Sequence, residues 1–157
     1  MNTLARQTLL TASILALGLS AANAAIPAGT QLPLAAADKH VFKAGETKRV
    51  RFVVTAPDDK NDTQSLRARL AGCLIEGDTA YNPRNGRLYV KKPVLTCAPD
   101  TKMGAAFLGG DIAGQLSDSG LEGIKLECPS PKECTVGNLK KGSEASFTVT
   151  ETMGGGE

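Results

Sequence analysis

The chain has 157 residues, a length that points to one folded domain, and its 18 Lys plus Arg are interspersed with 16 Asp plus Glu. The basic residues are scattered, so nothing points to nucleic acid as the main partner, and 4% aromatic residues without a Trp weighs against a base-stacking surface or a ring-lined sugar groove. The core of such a chain is expected to be aliphatic.

Residues 1–24 read as a signal peptide. Arg6 gives the positive start, residues 9–19 the apolar segment, and Ala22-Asn23-Ala24 a small-x-small cleavage site, so the mature chain is expected to begin at Ala25. The apolar segment is well short of the ~20 residues that span a bilayer. Export to an oxidising compartment favours disulfides for the four cysteines. Of the three pairings four cysteines allow, Cys73 with Cys97 and Cys128 with Cys134 is the favoured one, the second closing a short segment that holds Pro129 and Pro131. A four-thiolate zinc site is the rival, but the Cys-x2-Cys spacing of zinc ribbons is absent and the single histidine, His40, lies far away.

From Ala25 to Leu34 the chain is too rich in proline for a helix start, and Pro27 and Pro33 limit it to extended edge structure at most. In residues 47–55, Val50, Phe52 and Val54 alternate with Arg49, Arg51 and Val53, the mark of a strand with one buried face. Residues 43–46 before it read as a turn. Residues 56–63, with Asp58, Asp59 and Asp62, form a polar surface loop. Leu66, Ala68 and Leu70 fit a strand or a short helical turn equally well. Asn85-Gly86 between two β-prone runs is a hairpin signal. Further strands are expected at residues 93–97, 103–108, 121–128 and 145–150, followed by a disordered glycine-rich tail at 153–157. Short strands with turns between them indicate an all-β fold, a small β-barrel or sandwich with two disulfides, filling residues 25–152.

Catalytic groups are scarce. His40 sits beside Val41 and Phe42 on an expected strand, with no Gly-x-Ser-x-Gly elbow in the chain, so no enzyme activity is expected. The aspartates of the 56–63 loop lack the further ligands and turn glycine of a calcium site. The run Gly109-Gly110-Asp111-Ile112-Ala113-Gly114 lacks the Lys-Ser/Thr of a phosphate loop. No metal or other cofactor is expected. Glycine in β structure marks a bulge, a bend or the close approach of another backbone. A second subunit could supply that backbone, which makes Gly109, Gly110, Gly114, Gly120 and Gly123 a candidate assembly surface.

The order of motifs resembles a known family. Ile26-Pro27-Ala28-Gly29-Thr30 is similar to the Ile-Pro-x-Gly-Thr that opens the C-terminal barrel domain of the TraB/TrbI-type subunit of conjugative type IV secretion core complexes. Gly72-Cys73, Gly77-Asp78, Arg87 with Val90, Leu95-x-Cys97, Gly110, Gly114 and Gly120-Leu121-Glu122-Gly123 follow in the family's order. The resemblance implies a periplasmic β-barrel domain that assembles side by side into a ring under or within the outer membrane. It puts the family's cysteine pair on Cys73 and Cys97. Its partners would be other core-complex subunits in a homo- or hetero-oligomeric ring, with no direct nucleic-acid contact. The signal peptide stands in place of the family's inner-membrane helix and Pro-rich linker, so the chain would be an exported relative of the ring domain. A free periplasmic binding or inhibitor module stapled by disulfides is the alternative.

Overall fold

A computed structural model describes residues 25–62, 64–82, 87–103, 109–117, 124–127 and 135–154. The elements are β1 Gln31–Ala36, β2 His40–Lys43, β3 Lys48–Val54, α1 Leu66–Leu70, β4 Leu74–Tyr81, β5 Leu88–Thr96, β6 Gly109–Asp111, β7 Gly114–Ser117, β8 Ile124–Glu127, β9 Val136–Leu139 and β10 Glu144–Val149. Seven strands form one antiparallel sheet in the order β6-β5-β4-β3-β1-β10-β7, and β2-β9-β8 form a second. The expected all-β class is the one found, with the larger sheet curled into a half-barrel.

Alternation explains which face turns inward. In β3, Val50, Phe52 and Val54 are buried and Arg49 and Arg51 exposed; β1 buries Leu32, Leu34 and Ala36, and β10 buries Ala145, Phe147 and Val149. Phe42 of β2 and Leu139 of β9 join the same core, so the small sheet packs on the large one. The core is mostly aliphatic as expected, with a few rings in it. Phe42, Phe52 and Phe147 are the largest fully buried side chains, and Phe42 meets the Tyr81 ring edge-on at 6.2 Å. Few aromatics in the composition does not mean a minor place in the core, because each ring fills the volume of several methyls.

β1 is not the edge strand that its prolines suggested. It lies between β10 and β3, with Pro33 opposite Ser146. A strand residue points its N–H and C=O to the same side, and the Pro33 carbonyl accepts from Thr55 N at 2.9 Å. The missing N–H therefore faces Thr55, one residue past the end of β3 at Val54, so the proline costs only the last reciprocal bond of that ladder.

β4 and β5 form the expected hairpin, with Tyr81 opposite Leu88 and Asn82 N donating to Arg87 O at 2.8 Å; the Asn85-Gly86 turn itself lies outside the described residues. The open choice at residues 66–70 resolves as a helix. Ser65 caps it, its hydroxyl accepting from Ala68 N, while Ala68 and Leu70 turn inward. Met103 is buried in a turn and is not the start of a strand; residues 104–108 lie outside the described residues. Strand β8 falls inside the expected 121–128 segment. Strands β6, β7 and β9 are not foreseen by the alternation rule. The expected signal peptide at 1–24 and residues 155–157 are likewise outside the described residues, but Met153, placed in the tail by the sequence, is buried and bridged to Ile26.

Candidate functional site

Two local constraints build a concave region beside β5. The first is a bulge. Glu76 pairs with Val94 and Asp78 with Lys91, so Gly77 alone opposes Lys92 and Pro93. Lys92 takes up the extra residue with φ of 48°. The insertion also changes which residues point inward, from Leu88 and Val90 before it to Pro93, Leu95 and Cys97 after it. A side chain at Gly77 would be impossible there, since a β-carbon would stand 2.6 Å from Val90 Cγ1 and 2.9 Å from Lys91 O.

The second constraint is a seam. β6 pairs with β5 at one end of the strand order and β7 with β10 at the other, yet only Ile112 and Ala113 separate them in the chain. Ile112 N donates to Pro93 O at 3.0 Å and Thr150 N to Ala113 O at 2.9 Å. This link thus ties the two ends of the curled sheet together.

Beside the bulge and the seam opens a cleft of about 750 Å3. Pro93, Ile112 and Met153 give it a buried apolar floor. Arg49, Asp78, Lys92, Asp111 and Glu151, all exposed, give it a charged rim. Arg49 donates through Nε to Glu76 Oε1 at 2.7 Å, and Glu76 lies outside the lining. The sequence reading missed this cleft. Its signal was the break in the inward pattern between Val90 and Pro93, which a periodicity read over residues 93–97 alone does not contain.

Three of the candidate assembly glycines fall on the same seam. At Gly109, with φ of +147°, a β-carbon would meet Leu95 O at 2.5 Å; at Gly114 it would run into the Phe147 ring; at Gly110 the Met153 methyl lies 3.3 Å away. The close approach is made by this chain's own β5, β10 and Met153. Gly120 and Gly123 lie outside the described residues.

Cys73 and Cys97 are disulfide-bonded, Cα to Cα 4.3 Å, one step beyond the Leu74 to Thr96 pair of the β4–β5 ladder. Cys128 and Cys134 lie outside the described residues. His40 is on β2 as expected, but its Nε2 is buried without a hydrogen-bond partner among the described residues, its ring 6.2 Å from that of Phe42. The loop aspartates bond locally: Asp59 accepts from Asn61 N and Asp62 from Ser65 N, and the Ser65 bonds hold the Asp62 carboxyl below its ordinary range. Asp38 is likewise lowered by hydrogen bonds from the Arg51 guanidinium, at 2.7 and 3.1 Å. Among the described residues no three His, Cys, Asp or Glu come together as a metal site, and no helix is long and apolar enough to cross a membrane.

No protein-family model and no curated protein matches the chain. Among solved structures it is loosely similar to ComB10 of the Com Type IV secretion system of Helicobacter pylori. The two are 11% identical with a TM-score of 0.49, over 83% of this chain and 90% of that one.

Proposed function

We propose that this chain is a structural, non-catalytic subunit of a bacterial conjugation or type IV secretion outer-membrane core complex, assembling as a ring subunit in the periplasm close to the outer membrane. The observation that carries the reading is where the family-like motif residues fall. Short motifs matched by chance would scatter over tolerant surface loops, whereas several of these, among the described residues, sit where the backbone demands them.

Ile26 is fully buried, and Pro27 to Thr30 form a turn in which Thr30 N and Oγ1 both donate to Pro27 O, with Gly29 at φ of +86°. Gly77 is the residue across from the bulge. Cys73 and Cys97 are bonded to each other, as the resemblance implies. Gly110 and Gly114 line the seam. For these residues the motif order is also the order of the fold's own constraints, while residues 120–123 lie outside the described residues.

In this role the barrel would serve as a rigid building block whose neighbours are other core-complex subunits, and it would not contact the transferred DNA directly. Affinity isolation of a tagged chain from envelopes in gentle detergent tests the reading. The expected result is co-isolation with a ring-shaped outer-membrane complex, visible by negative stain, and impaired DNA transfer on deletion. A chain that stays out of the complex, remains monomeric at high concentration and is dispensable for transfer overturns it in favour of a free periplasmic binding or inhibitor module.

A further inference from the structure

We infer that the cleft beside the β5 bulge is a docking site for an extended peptide segment of a partner protein bearing spaced lysine or arginine side chains. The cleft, at about 750 Å3, lies within the roughly 300–1,000 Å3 typical of ligand sites and has their usual plan of an apolar floor with polar groups above it.

Charge selects the occupant. Among the described residues the carboxylates of Asp78, Asp111 and Glu151 make no ion pair. Asp38, Glu46 and Asp62, outside the cleft, are all held by an arginine, a lysine or main-chain donors. Arg49 is drawn to Glu76, beyond the lining, which leaves Lys92 as the one uncommitted cation facing three uncommitted carboxylates. An acidic rim attracts a cationic partner and repels an anionic one.

A metal ion does not fit, because the three acids come from β4, β6 and the segment after β10 and do not gather at one point. Carboxylates spread along a cleft match cationic side chains spread along a chain. Apolar residues between those side chains would cover Ile112 and Met153, which form the floor. The inference stands apart from the ring-subunit reading, since it rests on the cleft alone.

Titrating the disulfide-intact protein with the probe acetyl-Ala-Lys-Val-Lys-Val-Lys-Ala-amide, followed by NMR, tests it. The expected result is saturable binding that weakens with salt, with shifts centred on Ile112, Ala113 and Glu151. The glutamate analogue of the probe should not bind. An Asp111→Asn, Glu151→Gln double variant, at exposed positions and checked for a native spectrum, should bind the lysine probe about tenfold more weakly. Equal binding of the two probes, shifts elsewhere on the surface, or an unchanged affinity in the double variant would each overturn the inference. Should the double variant not fold, the shift map and the glutamate probe on the unaltered protein still decide.

Discussion

Ile26 and Met153 exchange both of their main-chain hydrogen bonds, Ile26 N to Met153 O at 2.7 Å and Met153 N to Ile26 O at 2.9 Å. Gly29 N to Val149 O and Ala28 N to the Thr152 hydroxyl extend the clasp. The two ends of the domain are thereby held together, and Met153 is placed as part of the cleft floor. Sequence, fold and candidate site meet at this pair.

The clasp has a measurable weight. Ile26 is fully buried in the main core, so Ile26→Ala should cost about 2–5 kcal/mol, the range for deleting a buried aliphatic side chain. Urea unfolding followed by circular dichroism gives the value. A loss below about 1 kcal/mol, the scale of an ordinary surface change, would mean that the N-terminal turn is not docked in solution.

The disulfide closes a loop between residues separated by 24 positions. In the chain-entropy model a loop of that size contributes about 3 kcal/mol. The double variant Cys73→Ala, Cys97→Ala should lose stability on that scale while keeping the β spectrum, because β4 and β5 remain joined by their ladder. Intact mass before and after reduction checks the bond directly. Native protein in which Cys73 and Cys97 both react with an alkylating agent would refute it.

Much of the fold was legible where one face of a strand is buried and the other wet. β3, β10 and the hairpin all follow from alternation and turn chemistry. What escaped did so for local reasons. Pro33 was legible as a break in hydrogen bonding, but the sequence does not say which side of the strand lacks a partner, and here that side faces the end of β3. Gly109 to Gly114 carries almost no side-chain pattern, so strands β6 and β7 left no period to read. Of the seam beside the cleft, the glycines were visible and their purpose was not. The residues they approach, Leu95, Phe147 and Met153, are distant in sequence and come together only through the curl of the sheet.

Acid should weaken the fold through three half-buried carboxyls. The Arg51 hydrogen bonds lower Asp38 from its ordinary 3.8, the Lys43 main-chain N–H lowers Glu46 from 4.5, and the Ser65 bonds lower Asp62 from 3.8. A carboxyl lowered by folding adds stability above its unfolded value, and that contribution is lost as pH falls through the folded one. Stability should therefore be flat near neutral pH and decline once pH drops below these ordinary values. Asp38→Asn should remove part of that decline and leave the rest. An acid limb identical in the variant and the unaltered protein would show that the Arg51 pair is not formed in solution.

Gly114 separates two explanations of the seam. If glycine there only leaves room for a neighbouring subunit, Gly114→Ala should leave the monomer as stable as before and impair assembly alone. The fold predicts otherwise, because the added β-carbon would run into the Phe147 ring and stand 2.6 Å from Thr148 O. The ring is fully buried and the oxygen is main chain, so neither can move aside freely. Overpacking of this kind costs about 1–3 kcal/mol, and it should fall on the isolated monomer. Pairing it with Phe147→Leu supplies the control. Removing the ring relieves its part of the clash and leaves that with Thr148 O, so the double variant should be more stable than the sum of the two single losses allows, a coupling that urea unfolding of all four proteins measures. Strict additivity would mean that Gly114 and Phe147 do not touch.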